Sequence, residues 1–447
     1  MRRHLLAQVS DKLGGRSLVW AGLRGSDMES LSDLPQWSAA FSIIDAYRQR
    51  ATVDSLAFED ITGERVDLET WDIDDCRHEP PAQEFRRALL RALSRDSALL
   101  PYRPSSFLSA IWFARRDRCL HLGLFGAQQS AFEHKPWVEA SLQDVGVATI
   151  PWIYVANEER DQCISGFSDG PMVLRTSRTS GGRGFSIVHS VQELLAAWPE
   201  TSEGIVSVAP YLQGTLPLNI GATVWEDGVT MGYPSFQLIG TPGCTLRPFG
   251  YCGNDFAQVR TLPATMIDRI EVTTERIGQW LRMRGYRGTF GVDYLIDRDG
   301  ELRFTEINPR FQGSTVASGR LAVEGDEPCL LLEHVAAMLA LPKPPTVPLR
   351  ERVAATAPLS QLVVHWTGAE SAHIDSSALE QSAGRLGGWC DVHARPTLQV
   401  HPHATVCRLT FRRAITSSGY DLENSLTACV SDWYEAASNA NTSEAAR

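Results

Sequence analysis

The chain has 447 residues, a length that suits about three domains at roughly 150 residues each. Apolar residues make up 43 % and charged ones 21 %, which excludes a disordered or fibrous chain. Acidic residues outnumber basic ones 53 to 42, and the formal net charge of −11 disfavours a bulk electrostatic grip on nucleic acid or anionic membrane.

No run of about 18 apolar residues occurs, so a membrane-spanning helix is not expected. The first residues are basic, but Gln8, Ser10 and Asp11 interrupt any signal-like apolar segment. Nine scattered cysteines without a C-x-x-C pair argue against a disulfide framework or zinc ribbon and fit a cytoplasmic protein.

In chain order, Ser17–Leu23 reads as a buried strand running into a turn at Gly22, Gly25 and Ser26. Residues 85–100 place Phe85, Leu89, Leu90 and Leu93 on one helical face. Residues 110–113 and 120–125 read as further strands, so the first 130 residues form a parallel α/β unit. Residues 136–145 make a helix with Gly146 just past its end, and 149–155 is extended around Pro151.

The texture then changes. Strands are predicted at 171–175 and 185–189 around a glycine loop, followed by a helix at 190–198 with Ser190 as N-cap and Glu193 closing a capping box. Antiparallel strands follow at 205–211, 219–225 and 229–236, the last two joined by Glu226-Asp227-Gly228. A long amphipathic helix at 263–284 stops at Gly285, and a hairpin joins 290–296 to 302–307 over Asp297–Gly300. Asp326 is expected to cap a helix at 328–341, and Pro342–Pro348 is a proline-rich linker. Beyond it, strands at 361–366 and 405–411 and a helix from about Leu422 complete the chain, with the last ten residues frayed.

Three constellations carry chemistry. Asp293 and Glu306 fall on facing strands of the 290–307 hairpin, and Asn308, two residues beyond Glu306, shares its face. Two carboxylates and an amide oxygen are a hard oxygen set of the kind Mg²⁺ takes with water and phosphate. Arg310 adds a cation able to hold a phosphoryl or carboxylate group. The bland alternative is a hairpin whose acids are simply solvated. The second constellation, Val173 to Phe185, is a strand, then Arg175, then the small-residue loop Ser180-Gly181-Gly182-Arg183-Gly184. Its backbone N–H groups could close over phosphates, but it is not a Walker A loop, and alone it could be a plain glycine turn. The third is Lys135 at the entry of a helix, where the helix dipole offers a cation nothing and a phosphate would.

Taken in this order, the three resemble the ATP-grasp superfamily over roughly residues 105–340, and within it the carboxylate–amine ligases, the D-alanine–D-alanine ligase and natural-product dipeptide ligase group. The resemblance implies a pre-ATP-grasp α/β domain at 1–130 and two α+β subdomains, 131–210 and 211–342, that sandwich a nucleotide. A small α+β extension at 349–447 would follow. It implies ATP and two Mg²⁺ ions, with Mn²⁺ as a substitute. Glu306 would bridge the metals, Asp293 and Asn308 completing the two sites, and Lys135 and Arg175 would touch the α- and β-phosphates. The loop Ser180–Gly184 would cover the phosphates, Arg310 would neutralise the transferring phosphoryl group, and backbone groups of Ala209, Tyr211 and Leu212 would meet adenine.

Substrate candidates are Gly313 and Ser314, directly after Arg310, and Arg247, which reads equally as a solvated loop arginine. His401 and His403 lack a third ligand and read as surface residues. Two features depart from the superfamily pattern: Arg175 stands where a lysine is usual, and the 206–212 hinge carries no glutamate. The reaction implied joins an amino acid or peptide carboxylate to an amine through an acyl phosphate, in an enzyme with dimerisation as the default. The rivals are a nucleotide-binding protein without turnover and, lower, a carboxylase-type domain, since no biotin-attachment Met-Lys-Met segment occurs.

Overall fold

Ser17–Arg24, an apolar segment with Leu18, Val19 and Trp20 fully buried, forms the central strand of the first layer. Around it run Asp54–Ala57, Trp37–Ile44, Ser97–Pro101 and Cys119–His121, giving a five-stranded, wholly parallel sheet in which Ser17–Arg24 lies third, between Trp37–Ile44 and Ser97–Pro101. The computed structural model describes residues 1–71, 74, 78–93, 96–115, 119–124, 130–161, 163, 170–178, 181–199 and 203–445.

A second layer is a four-stranded antiparallel sheet in the order Ile153–Ala156, Ile205–Pro210, Met172–Thr176, Phe185–Val188, closed on its own small core of Leu174, Val188, Leu194, Val206 and Val208. The third layer is an eight-stranded antiparallel sheet. Its order is Leu302–Asn308, Gly288–Ile296, Leu216–Val224, Val229–Ile239, Tyr251–Asp255, Ser360–His365, Thr405–Phe411 and Gly388–His393. The helix Ala264–Met283 lies on it through Ile267, Ile270, Thr274, Ile277 and Leu281, spaced three and four apart so that one face is buried. Gly278 permits the contact, because a Cβ there would come within 2.6 Å of Val229.

Several expectations change. Residues 110–113 belong to the helix Ser106–Arg115, since a four-residue apolar run has no period long enough to separate strand from helix. Residues 85–100 divide into the helix Pro80–Ala92 and the strand Ser97–Pro101. Of the strand expected at 120–125, residue 125 lies outside the described residues, and the strand seen is Cys119–His121. Asp326 caps nothing: it sits at φ 52° with its carboxylate 3.6 Å from the Met1 ammonium, and the next helix is Leu330–Met338 with Cys329 at its N-cap. The segment after 348 does not make a sheet of its own: its three long strands continue the eight-stranded sheet from Tyr251–Asp255 outward. A short additional sheet pairs Gln399–Val400 with Glu64–Arg65 of the N-terminal region.

Candidate active site

One rung of the large sheet is polar where its neighbours are apolar. Glu306 stands opposite Asp293, Asp293 opposite Asn219, and Asn219 opposite Ser235, so four polar side chains share one face across four strands. Asn308 Nδ2 donates to Asp293 Oδ2 at 3.0 Å and to Glu306 Oε1 at 3.4 Å. Asp293 Oδ1 accepts from Gln312 Nε2 at 3.0 Å and Gln237 Nε2 at 3.1 Å. Beneath them Asn219 Nδ2 donates to Ser314 Oγ at 2.8 Å and Gln312 Oε1 at 3.3 Å, and Ser235 Oγ donates to Asn219 Oδ1 at 2.6 Å. The carboxylates therefore rest on a hydrogen-bonded amide and hydroxyl floor that fixes their rotamers.

Gly291 makes that floor accessible. A Cβ at this position would lie 1.9 Å from Gln312 Oε1, so only glycine lets Gln312 cross the strand to reach Asp293.

The charges on the two acids are unequal. Burial, and then the facing Glu306, push the Asp293 carboxyl well above the usual carboxylate range. Burial acts on Glu306 in the same sense, but Lys135, the hydrogen bond with Asp293 and the charge of Arg310 together outweigh it and hold Glu306 below its ordinary value. The Lys135 Nζ lies 3.1 Å from Glu306 Oε2, and Lys135 is itself buried. It is delivered there by the helix Lys135–Gln143, whose N-cap His134 accepts the Trp137 N–H, and by a bond from Lys135 N to Ser177 O at the end of Met172–Thr176. Two carboxylates facing each other at the floor of a site, with the amide Asn308 between them, are a donor set that an added divalent cation would stabilise. Asp293, Glu306 and Asn308 offer only three side chains, so a cation held here would draw its remaining ligands from substrate and water.

The other expected residues separate into two groups. Arg310 adjoins the carboxylates and lies 3.6 Å from Glu133 Oε1. Gly313 packs against the Tyr251 ring, where a Cβ would come within 2.7 Å, and Ser314 is buried in the floor rather than lining a pocket. Gly181 and Gly182 both take positive φ; a Cβ on Gly182 would strike Phe249 O at 2.2 Å and one on Gly181 would strike Glu69. The glycine segment thus lies against the 240–250 loop and the N-terminal layer, with Gly184 at its end and Ser180 outside the described residues. Ala209 is the penultimate residue of the strand Ile205–Pro210, Tyr211 N donates to Pro171 O, and Leu212 follows half-buried.

Two arginines are placed differently from expectation. Arg175 is 1 % exposed, its Nη2 within 2.7 Å of both Glu139 carboxylate oxygens and its guanidinium 4.0 Å above the Trp152 ring. Tyr154 donates to the same Glu139 at 2.9 Å. Arg175 is therefore the inner half of a buried ion pair, not an open cation. Arg247 forms a two-pronged pair with Asp67, which holds the Asp67 carboxyl below its ordinary value against the opposing effect of burial. It joins the 240–250 loop to the N-terminal layer instead of standing open to a substrate. Glu139, Glu133, Gln237 and Asn219 were not anticipated; Asn219, Ser235 and Gln237 are polar residues within strands, and only the strand register brings Asn219 and Ser235 onto the face of Asp293.

This arrangement, a parallel α/β layer followed by two antiparallel layers with a D…E-x-N carboxylate pair, is the ATP-grasp fold. Its solved likenesses include an N5-carboxyaminoimidazole synthetase from Staphylococcus aureus complexed with ADP (TM-score 0.59, 14 % identity, 94 % of this chain and 96 % of that one). Biotin carboxylase from Campylobacter jejuni is similar too (TM-score 0.61, 13 % identity, 90 % and 88 %). By sequence, the chain is 26 % identical over 251 residues to a formate-dependent phosphoribosylglycinamide formyltransferase of Synechococcus sp. (strain CC9311). That match covers 54 % of this chain and 57 % of the relative's length. No family model matches the chain.

Proposed function

We propose that this chain is an ATP-dependent ligase that activates a carboxylic acid as its acyl phosphate and passes it to an amine, releasing ADP and phosphate. The observation that carries the reading is the facing pair Asp293 and Glu306, with Lys135 3.1 Å from one and Arg310 beside both. A carboxylate attacking a terminal phosphate sets an anion against a polyanion, so the barrier is dominated by charge repulsion. Asp293, Glu306 and Asn308 would hold Mg²⁺, which when bound supplies positive charge to the phosphate oxygens. Lys135 and Arg310 add cations fixed by the fold, so they need no reorganisation as charge develops. Gly181, Gly182 and Gly184 would offer backbone N–H groups above the phosphates and exclude water from the activated acyl group. Backbone groups of Ala209 and Leu212 would meet adenine. Arg175 acts through Glu139, anchoring the helix that presents Lys135.

Joining an acid to an amine agrees with the name of the formate-dependent formyltransferase the chain resembles. We place the acid and amine among amino acids or short peptides, in biosynthesis within the cytoplasm, by a chain acting alone or as a homodimer. The test is ADP and phosphate release from purified protein with Mg²⁺-ATP and a panel of acids and amines. Release that needs one member of each class is expected. Tight ATP binding with no release for any pair would instead favour a nucleotide-binding protein without turnover.

A further inference from the structure

At the carboxyl end of the central parallel strand, two buried donors have no acceptor. Trp20, Gly22 and Arg24 alternate onto one face of Ser17–Arg24, and a Cβ on Gly22 would strike the Trp20 indole. Trp20 Nε1 and Arg24 Nε are sealed from solvent, and neither has a hydrogen-bond partner among the described residues. Arg24 is only 8 % exposed, and its remaining guanidinium nitrogens make no hydrogen bond among those residues either. A guanidinium presents five N–H groups in a rigid fork, and leaving them unmet in the interior is costly.

The acid beside Arg24 does not meet them. Asp27 Oδ1 accepts from Arg408 Nη1 at 2.8 Å, and Arg408 Nη2 donates to Ser26 Oγ at 3.0 Å. Asp27 Oδ2 stands 3.8 Å from Arg24 Nη1, close enough for charge attraction and too far for a hydrogen bond. Arg175 and Arg247 are each hydrogen-bonded to an acid of their own; Arg24 is not.

This face of the strand leads to the proposed reaction centre. The Trp20 ring lies 6.0 Å from Tyr102 and 6.4 Å from Phe311, and Tyr102 lies 5.8 Å from Phe311, the residue after Arg310. The backbone follows the same path: Tyr102 N donates to Ala21 O at 2.8 Å, and Phe311 N to Tyr102 O at 3.3 Å. Tyr102 is 3 % exposed, and its hydroxyl has no hydrogen-bond partner among the described residues. The charges of both Arg24 and Arg310 act on that hydroxyl, and burial pushes it up, so it stays a neutral donor.

A carboxylate suits Arg24 and Tyr102 better than a phosphate. Its single charge and two oxygens match a guanidinium fork and one hydroxyl. A phosphate dianion would bring a second negative charge toward Asp27. Arg310 and the cation site serve the acid that becomes the acyl phosphate, which leaves Arg24 for a carboxylate on the other reactant.

We infer that the amine substrate is an amino acid, held by its own carboxylate on Arg24 and the Tyr102 hydroxyl with its amine toward Arg310. This role rests on the ligase reading and sharpens it.

The test uses the full-length protein with and without Mg²⁺-ADP. The standard amino acids are screened by thermal shift, and the most stabilising one is titrated calorimetrically beside its carboxamide and ribose 5-phosphate. The amino acid should bind about tenfold tighter than its carboxamide, the order of a charged hydrogen bond. Arg24→Met, which keeps the apolar stem, should weaken the amino acid about tenfold and leave the carboxamide and Mg²⁺-ADP unchanged. Tyr102→Phe, which keeps the ring contacts, should weaken it about threefold and decides the matter should Arg24→Met fail to fold. Equal binding of amino acid and carboxamide, or indifference to both substitutions, would overturn the assignment. So would tighter binding of ribose 5-phosphate that Arg24→Met abolishes. Mg²⁺-ADP binding with no response to any amino acid sinks the Arg24 role alone. Arg24-dependent amino acid binding without Mg²⁺-ADP binding sinks the nucleotide reading and leaves the Arg24 role standing.

Discussion

Arg175 and Glu139 are locked together in the interior, one guanidinium nitrogen within 2.7 Å of both carboxylate oxygens. Burial pushes the Glu139 carboxyl up and Arg175 opposes it, so removing the cation leaves an acid stranded in an apolar setting. Arg175→Ala should destabilise the fold by about 3–5 kcal/mol, whereas Arg175→Lys keeps the charge and loses the stacking on Trp152. Urea unfolding of both variants checks this. An Arg175→Ala protein as stable as the parent but unable to bind ATP would return Arg175 to the phosphates.

Glu306→Gln removes the charge that Lys135 faces and one of the two carboxylates of the proposed cation site. ATP turnover should fall by about 10²–10³-fold with the fold intact, measured as ADP release beside a circular-dichroism melt. Activity within about tenfold of the parent would contradict a metal-bridging role.

Gly291→Ala makes a subtler cut. The new methyl would occupy the space of the Gln312 amide, whose flexible end would swing away and leave Asp293 one donor short. Because such supporting bonds orient metal ligands, the Mg²⁺ concentration for half-maximal ATP turnover should rise by about 10–100-fold. Gln312→Ala should reproduce the effect; a normal Mg²⁺ dependence in both would separate Gln312 from the metal site.

Glu333 reports on pH. Burial pushes its carboxyl up to about 7, and Thr230 donates to it at 2.7 Å. The unfolded group titrates near 4.5 and the folded one near 7, so the folded state holds the extra proton in between. The Glu333 contribution is full below the lower value and falls as pH rises through the upper one, on the order of 3 kcal/mol in all. Melting temperature should drop as pH rises from about 4.5 through about 7, and the drop should shrink in Glu333→Gln. An unchanged slope in that variant would assign the dependence elsewhere.

The parts of this molecule that were legible in the sequence are those written in local pattern. The hairpin carrying Asp293 and Glu306, the 264–283 helix and the glycine segment all declare themselves through period, turn chemistry or spacing. The partners of the arginines were not legible, because Glu139 is 36 residues from Arg175 and Asp67 is 180 from Arg247. The spacing of Arg175 to the glycine loop suggested an open cation. Long-range pairing decided otherwise. The polar rung of Asn219 and Ser235 was visible only once strand register was known, since an isolated polar residue in a strand has no stated face.

The last hundred residues are stitched into the molecule rather than appended to it. Strand Ser360–His365 covers the backbone of Tyr251–Asp255, and Arg408 neutralises Asp27 some 381 positions away. A chain cut after Pro348 would bare a raw hydrogen-bonding edge on the eight-stranded sheet and orphan an acid beneath the first layer. Trimmed versions should accumulate as aggregates, and the tail is best regarded as a keystone whose loss unseats both neighbours at once.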